Sequence, residues 1–386
     1  MSTEGVSMPA VKTVDPAFLT ELERFGAFDA KACFNCGNCT ATCPQTTEAE
    51  SFPRRLIRLA QIGDRRALAA SRELWLCYYC GECSISCRRK AEPGELMASA
   101  RRFAISSFDI TGLARLLYTS WLANIIVFPL VALVMLWFML RHAGPVNGSF
   151  FEFIPGRVIH DIGVAVVVIT AITALLGLTN MTRLIWTETR RRAAPSQKKK
   201  GLIEWVIGAI AFVAAEWALQ RRYRACSDEY AVRQPWHRAR WLLHWCILWG
   251  FMGLLLATIL DFLFKPDYGA WVPLWYPARL IGTLAGVLLV YGTGMMLWQR
   301  IRPTTKYAER SLITDWAFLT ILFLLGITGF ILEVLDYVAP MTIAGNMVLL
   351  FHIVLVFTLI LLFPFIKFAH IMYRSLALFV HALARE

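Results

Sequence analysis

Eight of the ten cysteines fall between Cys33 and Cys87, in two copies of one motif. The first reads Cys33-Phe-Asn-Cys36-Gly-Asn-Cys39-Thr-Ala-Thr-Cys43-Pro44. The second reads Cys77-Tyr-Tyr-Cys80-Gly-Glu-Cys83-Ser-Ile-Ser-Cys87, with Arg88 in place of the proline. Thiolates spaced C-x2-C-x2-C-x3-C hold iron–sulphur cubes: three close ones wrap three irons, and the fourth iron takes the last cysteine of the other copy. That crossed pattern assigns Cys33, Cys36, Cys39 and Cys87 to one [4Fe-4S] cluster, and Cys77, Cys80, Cys83 and Cys43 to the other. The competing reading is a pair of structural zinc sites on a non-redox membrane anchor. Zinc prefers two separated C-x2-C pairs, so two matched quartets favour iron. In a reducing compartment these cysteines read as metal ligands rather than disulfides.

The histidines are the second group. From Tyr337 to Ile366 there is no Asp, Glu, Lys or Arg, a run long enough to cross a bilayer. His352 and His370 lie 18 residues apart, five whole helical turns, so on one continuous helix both leave the same face about 27 Å apart. Ionisable groups at such positions are functional candidates, and two stacked haems are the expected ligands. His244, at the start of an earlier apolar run, has the depth of His370 and is its expected partner on an inner haem b. His160 has the depth of His352 and is the expected partner on an outer one. No C-x-x-C-H is present, which argues against covalent attachment. Arg238, Arg240, Lys367 and Arg374 lie where haem propionates need cations, with Arg183 a further option. Arg279 is the candidate quinone-site residue, as a cation able to hydrogen-bond a quinone carbonyl. Gly282, Gly286, Gly292, Gly294, Gly326 and Gly329 suit either a flat ring or plain helix packing. His142, His237 and His381 read as surface residues, and Cys226 and Cys246 receive no role.

These groups need a scaffold. The 386 residues are 57% hydrophobic with a mean hydropathy of +0.53, which marks an integral membrane protein. Charge-free runs predict six spans: Leu116–Leu140, Ile162–Thr182, Trp241–Leu260, Leu280–Gln299, Trp316–Leu332 and Tyr337–Ile366. The apolar piece Trp205–Ala215 is too short to cross and predicts an interfacial helix near 203–219. The net charge of +12 concentrates beside the spans, where it meets lipid rather than nucleic acid. Lys and Arg number thirteen in 183–240 and four in 300–310, against two each in 141–157 and 261–279. By the positive-inside rule both termini and the cysteine region face the cytoplasm. The polar opening, Met1 to Phe18, has no secretory signal pattern. The expected organisation is all-α: an N-terminal extension to residue 30, an α-helical dicluster ferredoxin domain over 31–107, and a six-helix transmembrane cytochrome b bundle over 108–386.

With both cysteine motifs and the Leu74-Trp75-Leu76-Cys77 lead-in, residues 30 to 105 resemble the small iron–sulphur subunit of heterodisulfide reductase. The Cys-Cys-Gly motifs of that enzyme's catalytic subunit are absent, so disulfide chemistry is not expected on this chain. The last four spans, especially His352 through His370 with Phe363-Pro364-Phe365, resemble the cytochrome b subunit of respiratory nitrate reductase and the related membrane subunit of heterodisulfide reductase. That family places a second histidine ten residues after the position of His244, where this chain has Leu254. The fusion resembles the iron–sulphur/cytochrome b subunit of quinone-interacting membrane-bound oxidoreductase complexes of sulphur-metabolising prokaryotes. The resemblance implies residence in the cytoplasmic membrane, flavin-containing cytoplasmic partner subunits, and electron exchange between menaquinone and adenylylsulfate reductase. The nearest alternative is the quinone-linked subunit of a heterodisulfide-reductase-type complex with another acceptor.

Overall fold

The computed structural model describes residues 14–46, 51–192, 202–228, 235–264, 272–302, 311–338 and 342–385, and these are helical with no strand among them. The cysteine region is a small helical body. Leu56, Ile57 and Ala60 are buried on one face of the arginine-rich helix Arg54–Ile62. That helix stops at Gly63, whose φ of 77° is left-handed and whose position leaves no room for a side chain against the Asp15 carbonyl. The Asp64 carboxylate then accepts the Ala67 N–H and starts the short helix Arg65–Ala69. Phe18, Leu22 and Phe25 meet Phe103 on the longer helix Pro93–Phe108, with Phe18 edge-on to Phe103 at 4.9 Å. The same core continues through Trp75 and Phe108 to Tyr373 near the C-terminus, with ring centres 5.7 and 5.1 Å apart.

Among the described residues six helices are long and apolar enough to cross a bilayer: Trp121–Leu140, Gly156–Glu188, Arg240–Phe264, Pro277–Ile301, Ile313–Val338 and Ile343–Phe365, or spans one to six. Span one starts later than the charge-free run, because Ser120 is extended and its hydroxyl caps the Ala123 N–H at 3.2 Å. Span two belongs to the helix Gly156–Arg192, about 55 Å long at 1.5 Å per residue. It therefore outruns the hydrocarbon and reaches the cysteine domain, where Asn180 donates to the Phe108 carbonyl at 3.0 Å and Arg66 to Thr187 at 3.1 Å. Spans three and four press backbone to backbone. A Cβ at Gly250 would sit 2.7 Å from the Leu289 nitrogen, and one at Gly292 2.8 Å from the Leu243 carbonyl. The other glycines of spans four and five face side chains of neighbouring helices, such as Phe330 at Gly286 and Val290 at Gly326.

Span five begins before Trp316 because a charge in its first turn is neutralised. Asp315, with its side chain 3% exposed, accepts from Arg102 at 3.2 Å and Lys367 at 2.9 Å. This joins the cysteine domain, span five and the chain after span six. Replacing Asp315 with alanine leaves Arg102 buried without its counter-ion. The expected cost is about 3 kcal/mol, the low end for a broken buried pair because Lys367 keeps access to water. It is measured as a lower unfolding midpoint in detergent.

The largest departure from expectation is the last helix. It does not run unbroken from His352 to His370. Span six is helical over Ile343–Leu362, turns tightly through Phe363–Phe365, and is extended at Ile366 with φ −112° and ψ −177°. A new helix, His370–Arg385, follows. Pro364 has no N–H and its ring clashes with a helical continuation. The Ile360 carbonyl accepts from the Phe363 N–H and from the Thr170 hydroxyl of span two, the latter at 3.0 Å. The five-turn relation between His352 and His370 is therefore lost. Residues 339–341, within the run expected to open this span, lie outside the described residues.

The C-terminal helix buries Tyr373, Ala377, Leu378 and His381 on one face, so His381 is a core residue rather than a surface one. It lies against the helix Leu202–Leu219, where the interfacial helix was expected. Trp217 Nε1 donates to Ser375 Oγ at 3.0 Å, and Trp245 Nε1 in span three donates to the Ala218 carbonyl at 3.0 Å.

Candidate functional site

The two cysteine motifs have matching backbones. Gly37 and Gly81 take φ of 90° and 93°, and Asn35 and Tyr79 take 58° and 56°. These left-handed residues turn the chain back so that amides face sulphur: Asn35 N–H points at Cys33 Sγ and Tyr79 N–H at Cys77 Sγ, both at 3.3 Å. Such bonds favour the thiolate that metal binding requires. Asn38 Nδ2 donates to the Ser86 carbonyl at 2.6 Å and ties one copy to the other. Each copy's last cysteine thereby reaches the other's cavity. One small cavity is lined by Cys33, Cys36, Cys39 and Cys87, the second by Cys77, Cys80, Cys83 and Cys43. Among the described residues no three of His, Cys, Asp and Glu close on a single metal ion. Four sulphurs around an enclosed space fit a cube better than one ion. Burial pushes the Cys39 thiol up to about 11 and Cys43 to about 12, so loading metal there releases protons.

Beneath the second cysteine cavity lies a cavity of about 250 Å³ that contains His244 and His370. Their ring centres are 6.2 Å apart. Two imidazoles on one iron, each bonded at about 2 Å with roughly 1.1 Å more to the ring centre, stand about 6 Å apart, so the pair fits axial ligation of a haem. The other ring nitrogens support this. His370 Nδ1 lies 2.7 Å from the Lys367 carbonyl and His244 Nδ1 3.1 Å from Gln220 Oε1. An oxygen acceptor at each Nδ1 holds the proton there and leaves Nε2 as the donor atom, the arrangement metal-bound histidines use. Burial pushes His370 down to about 4, keeping it neutral as ligation requires.

Gln220 was not anticipated. It sits at the break between two helices with φ 46°, is 4% exposed, and no local pattern marks it. Replacing Gln220 with leucine removes the acceptor from His244. The expected result is about 10- to 100-fold weaker haem retention, measured by haem titration of the purified chain.

The cavity wall carries six cations, Arg101, Arg102, Arg240, Arg300, Lys367 and Arg374, against Glu216 and Asp315. That excess suits two propionates. Three of the four expected cations are among them, although Lys367 is held by Asp315. Arg238 is not: its guanidinium lies over the Trp298 ring at 4.9 Å. Arg101, Arg102 and Arg300 were missed because they arrive from distant parts of the chain. Cys77, Tyr78 and Tyr79 line both this cavity and the second cysteine cavity. Arg101 and Arg374 donate to the Cys77 carbonyl at 3.2 and 3.3 Å, and Arg240 to that of Tyr79. Tyr78 stacks on Tyr223 at 5.0 Å, and Tyr223 meets His244 edge-on at 5.4 Å.

The outer pair is not assembled. His160 is 41% exposed at its side chain, stacks on Phe262 at 5.5 Å, and has Nδ1 3.1 Å from Asp161. His352 turns to span five, with Nδ1 2.8 Å from Thr328 Oγ and its ring facing Gly329. Different helices occupy the two rings, so a shared outer haem does not fit this geometry. Arg279 departs from expectation too. It bonds the Val272 carbonyl at 2.7 Å and Asp336 at 2.6 Å, and sits 3.7 Å from Glu333. Its donors brace spans four and five, which leaves it a poor quinone anchor.

Comparison with known proteins divides the chain along the same line. Residues 32–92 match a 4Fe-4S dicluster domain. Over 91 residues the chain is 30% identical to the third (C) component of the H(2):CoB-CoM heterodisulfide,ferredoxin reductase of Methanothermobacter thermautotrophicus, covering 24% of this chain and 49% of the relative. It is 32% identical over 101 residues to a protein of Archaeoglobus profundus described as like the same component of heterodisulfide reductase, covering 25% and 54%. With the corresponding component of the ferredoxin:CoB-CoM heterodisulfide reductase of Methanosarcina acetivorans it shares 34% over 74 residues, covering 19% and 30%. The chain thus spans about half or less of the length of these relatives. No solved structure matches it. The N-terminal part is an iron–sulphur domain like that of the heterodisulfide reductase C component. A match from residue 111 to residue 386 takes in all six spans and both His244 and His370, and on it the chain belongs to the citrate utilization protein B family.

Proposed function

We propose that this chain is the membrane electron-transfer subunit of a multi-subunit oxidoreductase, exchanging electrons between menaquinone and flavin-containing partner subunits through haem b and two [4Fe-4S] clusters. The observation that carries the reading is the position of Cys77-Tyr78-Tyr79, which borders the second cysteine cavity and the histidine cavity at once. Haem b and the cubes supply reversible one-electron chemistry when bound. The chain's own residues keep the two cavities adjacent: Arg101 and Arg374 hold the Cys77 carbonyl, Arg240 that of Tyr79, and Gln220 and the Lys367 carbonyl orient the two imidazoles. In this reading one haem b sits between His244 and His370. The iron–sulphur domain and both termini face the cytoplasm, on the side rich in Lys and Arg.

For the far end, the sequence resemblance directs electrons towards adenylylsulfate reductase. The family's description, citrate utilization, supports a second reading in which the partner belongs to organic-acid metabolism. Reduced-minus-oxidised optical spectra, with iron, zinc and haem counts on the purified chain, test the wire itself. About eight non-haem irons per chain, with about one haem iron besides and a b-type haem spectrum, are expected. A colourless, zinc-loaded protein would end the proposal. Identification of the co-purifying flavoprotein decides between the sulphur and organic-acid readings.

A further inference from the structure

The geometry points to an isoprenoid quinone site in a groove between span two, the helix Leu202–Leu219 and the C-terminal helix, on the side of the protein that carries the iron–sulphur domain. The groove has a volume of about 800 Å³, within the range of small-molecule sites. Its walls are mostly apolar, and it lies beside the end of span two nearest the cysteine domain. A ligand there is lipophilic and enters from the bilayer.

Two observations set it apart from an ordinary lipid-facing hollow. Trp217, Ile371 and Ser375 line both this groove and the histidine cavity, so a ring in the groove is one layer of side chains from the His370 imidazole. The groove also has a polar end suited to a quinone head. Arg183, considered above for a propionate, is exposed on span two and lines this groove instead, and a guanidinium there can turn to a quinone carbonyl. The Thr179 and Thr182 hydroxyls donate to the Leu175 and Leu178 carbonyls, each at 2.8 Å, which leaves their oxygens as acceptors for a quinol hydroxyl. The apolar tail lies along Leu175 and Leu178 toward the bilayer. No comparable free donor is offered by Arg279, whose guanidinium is taken by Asp336 and the Val272 carbonyl.

This site rests on the quinone-linked reading above, and binding tests it separately from electron transfer. The probe is 2-heptyl-4-hydroxyquinoline N-oxide, a fluorescent quinol analogue, titrated against the full purified chain in detergent and displaced by menaquinone-4. Thr182 and Arg183 are exposed on span two, so changing them leaves the core intact. The expected results are saturable binding to the wild-type chain, a loss of affinity of at least about tenfold for Thr182→Trp and for Arg183→Leu, and partial recovery for Arg183→Lys. The haem spectrum is unchanged in all three. Wild-type affinity in both Thr182→Trp and Arg183→Leu overturns the site while the quinone reading stands. Displacement by phospholipid but not by menaquinone-4 makes the groove a lipid seat and overturns it as well. A wild-type chain with no saturable binding sinks the quinone reading and this site together.

Discussion

Replacing His370 with alanine empties the histidine cavity of haem: the expected haem content falls from about one per chain to background, with the iron–sulphur signals retained. His244→Ala behaves the same way, because His244 and His370 would hold the haem together and no other histidine is among the described residues lining this cavity. His352→Ala leaves haem content unchanged, since His352 is bonded to Thr328 and faces span five rather than His160. Pyridine haemochrome counts on the three purified variants make the comparison. A halved haem content in His352→Ala would restore an outer haem and overturn the single-haem reading. Haem retained in His370→Ala would remove the central pair as ligands.

The second large effect separates the two clusters. Cys43→Ser is expected to abolish the cluster nearer the histidine cavity, because Cys43 shares its cavity with Cys77, Cys80 and Cys83. Cys87→Ser is expected to abolish the other, whose cavity holds Cys33, Cys36 and Cys39. Non-haem iron falls from about eight to about four per chain in each variant, and the remaining electron paramagnetic resonance signal differs between them. Cys43→Ser is the variant expected to interrupt the step between cluster and haem itself, since Cys77 borders both the lost cluster's cavity and the histidine cavity. If Cys43→Ser instead removed the cluster of Cys33, Cys36 and Cys39, each motif would hold its own cube and the crossed assignment would fail.

Local spacing made part of this legible. Thiolates three residues apart converge on one cube and the last cysteine of each motif serves the other, so the quartets expected from spacing are those that line the two cavities, and charge-free runs of bilayer length marked all six spans. The same logic misled in the last helix, where periodicity ran through Pro364 as though it could donate a helical hydrogen bond. It also began span five too late, because Arg102 and Lys367, far away in the chain, neutralise Asp315.

Ligand types, the α-helical class and the number of spans are short-range properties of this sequence, written in residue identity and period. Which residues share a cavity is a long-range one. Arg101 and Arg102 come from the iron–sulphur domain, Gln220 from a helix break, Arg300 from the end of span four and Arg374 from beyond Pro364. They meet around His244 and His370 because packing, not spacing, brings those segments together. Tertiary structure alone decided that His160 and His352 look onto different helices, and that the cysteine and histidine cavities share the wall formed by Cys77, Tyr78 and Tyr79.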